Sequence, residues 1–257
     1  MAISTVTQDP AIPSAVRIAG VSQVFERGAT PVLDRVDLDV APGEFVCLVG
    51  ASGCGKSTLL NLMAGLLEPT SGEVEVSARR PALMFQEPAL LPWLTATGNV
   101  ELALKARGVD RPRRRAEAQR LLALVNLGGQ GDKRVHELSG GMRQRVALAR
   151  SLAQDSSVLL MDEPFAALDA ITRDVLHVEL ARVWAEQNLT VVFVTHNVRE
   201  AARLGQRVVL LGSRPGRVVR EWRIDLPQPR TIESPQVSAL ATEITRELHQ
   251  EISRHGN

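Results

Sequence analysis

The feature that most constrains the fold is a glycine-rich octapeptide at residues 50–57, which reads Gly-Ala-Ser-Gly-Cys-Gly-Lys-Ser. The apolar stretch 45–49 before it is typical of a central strand buried on both faces. Apolar residues at helical spacing after it predict a helix over about 56–66. Strand, loop and helix in this order predict a phosphate-binding loop, because glycines let successive amides point inward and the helix N-terminus is electropositive.

Each position of this loop is a candidate contact for the phosphates of a nucleotide. Lys56 can reach the β- and γ-phosphates, and the Ser57 hydroxyl can ligate magnesium. A glycine-rich turn that matches by chance is the alternative, but the strand before it and the helix after it argue against that. The candidate nucleotide-binding residues are Gly50, Ala51, Ser52, Gly53, Cys54, Gly55, Lys56, Ser57 and Thr58.

A second apolar stretch, residues 158–162, ends in two acids, Asp162 and Glu163. A buried strand does not end in carboxylates without a partner, since an unpaired buried charge is costly. Phosphoryl transfer depends mainly on positioning and charge neutralisation. A carboxylate beside the γ-phosphate would supply the positioning, and Lys56 with magnesium would supply the neutralisation. A solvated strand terminus is the alternative.

Between these two motifs, residues 138–150 read Leu-Ser-Gly-Gly-Met-Arg-Gln-Arg-Val-Ala-Leu-Ala-Arg. The pattern predicts a turn that leads into a helix. The Gly140–Gly141 pair allows close approach of another group to the backbone. A helix cap without further function would contain the same Ser-Gly-Gly turn. The position of this turn between the other two motifs favours a functional role over a simple cap.

Together the three motifs resemble those of ATP-binding-cassette ATPases, over roughly residues 16–215. The resemblance implies ATP and Mg²⁺ as ligands and a head-to-tail dimer, because in that family the signature turn of one subunit completes the ATP site of a second copy. It implies that Asp162 holds magnesium through water and that Glu163 polarises the attacking water. It also implies that Ser139, Gly140 and Gly141 meet the γ-phosphate across the interface.

The resemblance assigns four more residues. Gln86 resembles the glutamine that senses magnesium and water and links the core to a helical lobe, and His196 resembles the switch histidine that contacts the γ-phosphate. Asp169 resembles the aspartate of the loop that crosses the dimer interface. Phe25 lies where the family places an aromatic residue against adenine, although an aromatic core residue would fit the same pattern. The implied catalytic residues are Lys56, Gln86, Glu163 and His196, and the implied magnesium site is Ser57, Gln86 and Asp162.

Two departures from the family pattern stand out. Met142 replaces the commoner Gln of the signature turn, which we expect to be tolerated because the backbone makes the main contacts. The stretch 74–85 is shorter than the hairpin and loop of relatives, so the sequence does not predict how the strands are arranged at this edge of the sheet.

Three segments narrow the resemblance to importer ATPases of the nitrate, sulfonate, taurine and bicarbonate group: residues 85–93, 161–169 and 214–217. This implies an integral membrane permease as partner and, indirectly, a solute-binding protein. It places the chain peripherally on the cytoplasmic face of a bacterial inner membrane. A soluble cassette ATPase of repair or translation is the first alternative, but the chain has neither a coiled-coil insertion nor a second cassette. A nucleotide-gated binding module is the second, and Glu163 and His196 argue against it.

The alternation of predicted strands and helices indicates an α/β fold with a mostly parallel sheet. We predict a P-loop NTPase core with an N-terminal antiparallel β region and an inserted α-helical lobe. The predicted segments are a disordered lead-in at 1–14, a core at 15–86 and 138–212, the lobe at 87–137, and an extension at 213–257. The extension is predicted to open with Pro-rich loops and to close with an amphipathic helix.

The composition of the chain argues against several classes of protein. The net charge of +1 gives no general attraction to nucleic acid or acidic lipid, and no apolar run has the length of a bilayer crossing. A basic run at 107–120 lacks interleaved aromatics, which argues against nucleic acid; a solvated helix face is favoured over contact with lipid headgroups. Cys47 and Cys54 predict a reducing compartment, and Cys54 is either a filler residue or a thiol-sensitive position near phosphate.

Overall fold

The computed structural model describes residues 14–26, 28–78 and 80–255. Apart from Ser14, the predicted lead-in lies outside the described residues. The strands are β1 (Val16–Gln23), β2 (Leu33–Val40), β3 (Phe45–Gly50), β4 (Ser71–Val76), β5 (Ala82–Met84), β6 (Val158–Asp162), β7 (Thr190–Val194), β8 (Arg207–Leu211) and β9 (Val218–Arg223). The helices are α1 (Lys56–Met63), α2 (Ala96–Ala106), α3 (Arg111–Leu124), α4 (Gly140–Leu152), α5 (Ala170–Gln187), α6 (Val198–Leu204) and α7 (Pro235–His255), with a short 3-10 helix at Val135–Glu137.

The main sheet has six strands in the order β5-β6-β7-β3-β8-β9. All neighbouring pairs are parallel except β8 and β9, which are antiparallel. Its central strand β3 is buried along its whole length, as its continuous apolar sequence predicts. The predicted α/β class with a mostly parallel sheet is confirmed, and the carboxyl ends of β3, β6 and β7 meet at one edge of the sheet.

A second sheet of three antiparallel strands, in the order β2-β1-β4, lies against the first. Side chains of β3 alternate between the two faces, as a strand requires. Val46 and Leu48 pack in the cluster that the second sheet shares. Phe45, Cys47 and Val49 pack on the other face against the helices. The predicted N-terminal antiparallel β region is thus present.

The segment between β5 and β6 is helical. Helices α2, α3 and α4 pack together through apolar residues such as Leu104, Leu121 and Leu122, which are buried in one cluster. Most of the arginines of the basic run face away from this cluster. Arg115 pairs with Asp132 at 2.9 Å and Arg120 pairs with Glu117 at 2.8 Å, which agrees with a solvated helix face.

Helix α1 ends earlier than its apolar pattern predicts. The helix stops at Met63, and Gly65 adopts a left-handed conformation with φ of 68° that ends the turn. Leu66, the last residue of the predicted helix, lies beyond α1 and is 60% exposed. That part of the prediction is wrong, because an apolar period does not locate the backbone turn that ends a helix.

The extension contains a strand that the sequence did not predict. Strand β9 pairs antiparallel with β8 at the edge of the main sheet, and Trp222 is its one buried residue. The predicted amphipathic helix is α7, which buries Val237 and Ile244 and leaves Ile252 41% exposed. The short stretch 74–85 forms no hairpin, because β4 pairs with β1 and β5 pairs with β6 in the other sheet. Within the described residues, no helix combines the length and apolar character that crossing a membrane requires.

Candidate functional site

The phosphate-binding loop curls around the ammonium group of Lys56. Its Nζ donates hydrogen bonds to the carbonyl oxygens of Gly50 and Ala51, both at 2.9 Å, and the side chain is almost fully buried. Gly53 and Gly55 have φ of 77° and 97°, a left-handed conformation that glycine adopts without steric cost. The loop therefore has the backbone shape and the fixed cation that phosphate binding requires.

Neighbouring segments leave no room for side chains at several loop positions. A Cβ on Gly50 would lie 2.5 Å from the carbonyl oxygen of Leu211, and one on Gly55 would lie 2.6 Å from Leu33 Cδ2. A Cβ on Gly216 would lie 2.3 Å from the carbonyl oxygen of Cys54. Gly216, in the segment that follows β8, thus packs closely against the phosphate-binding loop. Residues 214–217 carry the subfamily resemblance, and no local sequence pattern identifies this contact.

Cys54 is 1% exposed and contacts Lys56 Nζ through its sulfur at 3.6 Å. Burial raises the pKa of the Cys54 thiol, against the opposing effect of Lys56. A raised pKa and burial both keep a cysteine in its unreactive thiol form. This environment favours the interpretation of Cys54 as a space-filling residue over a thiol-sensitive one.

The two acids at the end of β6, Asp162 and Glu163, have different surroundings. Burial raises the pKa of Asp162 and the nearby negative charge of Glu163 adds to this rise, against the opposing effects of the Ser57 hydroxyl and Lys56. Glu163 has a positive φ of 44°, and its amide donates to the carbonyl oxygen of Val194 at 3.0 Å. A non-glycine residue with positive φ is uncommon and costs free energy, so the surrounding structure holds Glu163 in place.

Glu163 meets His196 at the sheet edge. Its Oε2 lies 2.7 Å from His196 Nδ1, and the His196 side chain is 65% exposed. The parallel pairing of β6 with β7 brings the ends of these strands together, since Asp162 is opposite Val194. A carboxylate hydrogen-bonded to an imidazole at an open edge can accept a proton from a nucleophile placed against it.

The oxygen atoms of Ser57 and Asp162 are of the type that Mg²⁺ prefers. Burial already disfavours the charged form of Asp162, so a cation at this position would be electrostatically favourable. Within the described ranges, no three His, Cys, Asp or Glu side chains form a group that could hold a metal. The Ser57 hydroxyl and the Asp162 carboxylate would hold Mg²⁺, which would take its remaining ligands from phosphates and water.

Gln86 follows β5 and is exposed. Its carbonyl oxygen accepts a hydrogen bond at 2.9 Å from Nε2 of the buried Gln144 on α4. Arg150, also on α4, donates to the carbonyl oxygens of Pro88 at 2.7 Å and Ala89 at 2.6 Å. Helix α4 thus holds the backbone of the segment that follows Gln86, and a shift of one would be transmitted to the other.

The Ser-Gly-Gly turn begins α4. Ser139 caps the helix by accepting a hydrogen bond from the Met142 amide at 3.3 Å. A Cβ on Gly141 would lie 2.5 Å from Thr172 Cγ2, so the turn packs closely on the start of α5. Asp169 caps α5 through the Thr172 amide at 2.9 Å, and this hydrogen bond lowers the pKa of Asp169.

The structure brings one part of the predicted site together and leaves another part separate. The residues that converge on the carboxyl edge of the sheet are Lys56, Ser57, Asp162, Glu163 and His196. Among the described residues, the hydrogen bonds of Ser139 go to Met142 and Arg143 on its own helix and not to the phosphate-binding loop. Phe25 is 60% exposed, so it is a surface aromatic and not a core residue.

A glycine-rich loop with a buried lysine, a serine hydroxyl and an acidic strand end beside it defines a P-loop nucleoside triphosphatase. A protein-family model described as ABC transporter matches residues 33–166. The chain therefore belongs to the ABC transporter family and is an ATP-binding-cassette ATPase, as its motifs predicted.

Relatives and solved structures agree with this family assignment. The chain is 48% identical over 205 residues to the taurine import ATP-binding protein TauB of Mesorhizobium japonicum, covering 77% of this chain and 80% of the relative. It is 44% identical over 230 residues to TauB of Burkholderia pseudomallei, covering 87% and 88%. The dimeric bacterial ABC transporter cassette MJ0796 matches with a TM-score of 0.72 and 33% identity, covering 82% of this chain and 100% of the other. The same cassette is also known as a dimer in a post-hydrolysis state bound to ADP and Pi.

Proposed function

We propose that this chain is the ATP-hydrolysing subunit of a bacterial importer for a small anion such as taurine, another sulfonate or nitrate. It acts as a head-to-tail dimer on the cytoplasmic face of the inner membrane, below an integral permease that a solute-binding protein supplies. The observation that carries the proposal is the Glu163–His196 pair at 2.7 Å, beside the loop that holds Lys56. The taurine import relatives support the transport role and the choice of solute.

Nucleotide binding uses the loop and the surface around it. The amides of residues 50–58 cradle the phosphates, and Lys56 exchanges its carbonyl partners for phosphate oxygens. The exposed ring of Phe25 stacks on adenine. Ser57, Asp162 and Gln86 would hold Mg²⁺, which would supply positive charge to neutralise the phosphates.

Hydrolysis uses the pair at the sheet edge. Glu163 orients the attacking water and accepts its proton, while His196 contacts the γ-phosphate and holds the Glu163 carboxylate in position. Lys56 offsets the charge on the transferred phosphoryl group. Both acceptor and cation are fixed before the reaction, one by the strained backbone at Glu163 and the other by the loop.

The signature turn acts in a second copy. Ser139, Gly140 and Gly141 meet the γ-phosphate bound by the partner subunit, with Asp169 at the same interface. A change from mostly open to mostly closed dimers needs about 5.5 kcal/mol of differential binding. A few charge-assisted hydrogen bonds at roughly 1.5–3 kcal/mol each would supply it, because ATP makes them only in the closed dimer. Loss of the γ-phosphate then lets the dimer reopen.

Each predicted segment has its own role. The core at 15–86 and 138–212 binds ATP, and the lobe at 87–137 faces the permease. The extension at 213–257 adds β9 to the main sheet and packs α7 on α6 through residues such as Val237 and Ile244.

The function is tested by uptake of radiolabelled taurine and nitrate in cells that lack the chromosomal gene. We expect the wild-type gene to restore ATP-dependent uptake of one of these solutes, and Lys56→Ala to restore none, because that variant loses the phosphate-binding cation. Purification of the tagged chain from membranes is expected to recover a multi-span permease. Restored uptake by Lys56→Ala, or a chain that leaves the membrane fraction alone, would contradict the proposal.

The segment that follows Gln86 carries the proposed contact with the permease, around Trp93. Leu90 packs against the core, whereas Pro92 and Trp93 are exposed, with Trp93 at 67%. An exposed rigid aromatic on the segment clamped by α4 fits a seat for a short permease helix.

Trp93→Ala is therefore expected to reduce uptake at least about tenfold and to leave ATP hydrolysis by the isolated chain within about twofold of wild type, since a central aromatic contact contributes roughly 2 kcal/mol or more to an interface. Leu66→Ala removes an exposed apolar residue elsewhere and is the matched control, with normal uptake expected. Normal uptake by Trp93→Ala would remove this contact from the proposal.

A further inference from the structure

A buried carboxylate lies behind the catalytic edge, outside every motif used so far. Glu200 on α6 is 5% exposed, and its Oε2 accepts a hydrogen bond of 2.6 Å from the Thr195 hydroxyl. Thr195 is 2% exposed and immediately precedes His196. Its hydroxyl oxygen also accepts the Asn197 amide at 3.0 Å. Glu200 thus fixes the residue before His196, and through it the turn that carries the imidazole.

The other oxygen of Glu200 faces a different segment. Oε1 lies 3.5 Å from Arg173 Nε and 3.5 Å from His177 Nε2, both on α5. Arg173 in turn donates hydrogen bonds to the carbonyl oxygens of Phe165 at 3.2 Å and Leu168 at 2.6 Å. These two carbonyls belong to the loop between Glu163 and Asp169. One carboxylate therefore connects both segments that carry the Glu163–His196 pair.

The charge of Glu200 is maintained despite its burial. Burial alone would raise the pKa of Glu200, but the nearby His177 imidazole, the hydrogen bond from Thr195 and nearby Arg173 outweigh it and hold that pKa below its usual value. A buried charge is costly unless it is paired and hydrogen-bonded. The chain retains one here where an apolar residue would fill the same space between α5, α6 and the main sheet.

We propose that Glu200 is a positioning residue for ATP hydrolysis, which holds the His196 turn and the 163–169 loop in the relative orientation that the Glu163–His196 contact requires. The proposal rests on the roles proposed above for Glu163 and His196. Glu200 itself does not touch the nucleotide. Because Asp169 ends the loop that Arg173 holds, a shift of that loop at the dimer interface would reach the catalytic pair through Glu200.

A positioning role and a purely structural role predict different kinetics. Misplacement of a reacting group by about 1 Å can slow catalysis by about 100-fold. Among the described residues, the hydrogen bond and ion pairs of Glu200 go to Thr195, Arg173 and His177 and not to the phosphate-binding loop, which would still bind ATP. We expect Glu200→Gln and Thr195→Val to lower kcat by about 10- to 100-fold with KM for ATP within about twofold of wild type. Thr195→Ser keeps the hydroxyl and is expected to retain at least about half of kcat.

The effects of Glu200→Gln and Thr195→Val on kcat are also expected to be non-additive. Since Glu200 and Thr195 share one hydrogen bond, the double variant should be about as slow as the slower single variant. Glu186→Gln, which neutralises an exposed carboxylate on α5, is the matched control and should leave kcat unchanged. Thermal unfolding of each variant identifies any that fail to fold. If Glu200→Gln fails to fold, Thr195→Val, which keeps the side-chain size, and Thr195→Ser, which keeps the hydroxyl, still test the proposal.

The outcomes separate this proposal from the proposed function. If Glu163→Gln remains active, the assignment of the catalytic pair fails. If Glu163→Gln is inactive while folded Glu200→Gln and Thr195→Val keep kcat within about twofold of wild type, the pair stands and the positioning role of Glu200 is wrong. A rise in KM equal to the fall in kcat, or equal loss for Thr195→Ser and Thr195→Val, also overturns it.

Discussion

Glu163→Gln is expected to slow ATP hydrolysis by about 10²–10⁴-fold, the usual contribution of a general base, while ATP binding is retained. The amide keeps the shape of the side chain and its place at φ of 44°, and it can still contact His196. It cannot accept a proton from water. Lys56, Ser57 and Asp162 are unchanged, so the nucleotide remains bound and uncleaved.

The same variant is expected to accumulate as a dimer. The γ-phosphate that bridges two subunits persists when it is not cleaved, so Mg-ATP should shift the Glu163→Gln chain from monomer to dimer in light scattering, whereas ADP should not. Glu186→Gln on the exposed face of α5 is the control for loss of one negative charge, with normal hydrolysis and no stable dimer expected. A Glu163→Gln chain that stays monomeric in saturating Mg-ATP would contradict the mechanism.

The fold is predictable from the sequence wherever an apolar pattern is continuous. Strand β6 occurs at the bounds of its apolar stretch 158–162, since every residue except the last is buried. Strand β9 gives no such signal because it lies at the sheet edge and buries only Trp222. The end of α1 depends on the left-handed backbone at Gly65, which apolar periodicity does not report.

The candidate site divides in the same way. The convergence of Lys56, Asp162 and His196 follows from motif order alone, because the carboxyl ends of parallel strands meet at one edge of a sheet. Glu200 and Gly216 are different, since an acid in a short helix and a glycine in a loop are common and their partners come from other elements. Such contacts become visible only when the chain is folded. The cross-subunit roles of Ser139 and Gly141 remain predictions, and a second subunit is needed to test them.

Two inactive variants are expected to restore ATP hydrolysis when they are mixed, because each ATP site draws its loop from one subunit and its signature turn from the other. Lys56→Ala removes the cation of the loop. Ser139→Asp keeps a side chain that caps α4 well but places a negative charge where the γ-phosphate of the partner subunit would lie. In a mixed dimer both defects fall in the same site, and the other site is complete.

The expected rates follow from counting sites. Each variant alone should hydrolyse ATP at less than about a hundredth of the wild-type rate, and an equal mixture should recover about a quarter, since half of the dimers are mixed and each has one complete site of two. Ser139→Asn, which caps the helix without the charge, is the control that separates repulsion from loss of the cap. An excess of the doubly substituted chain added to wild type should suppress activity, because every mixed dimer then lacks a complete site. A mixture of the two single variants that stays as inactive as its components would show that the signature turn does not act across the interface.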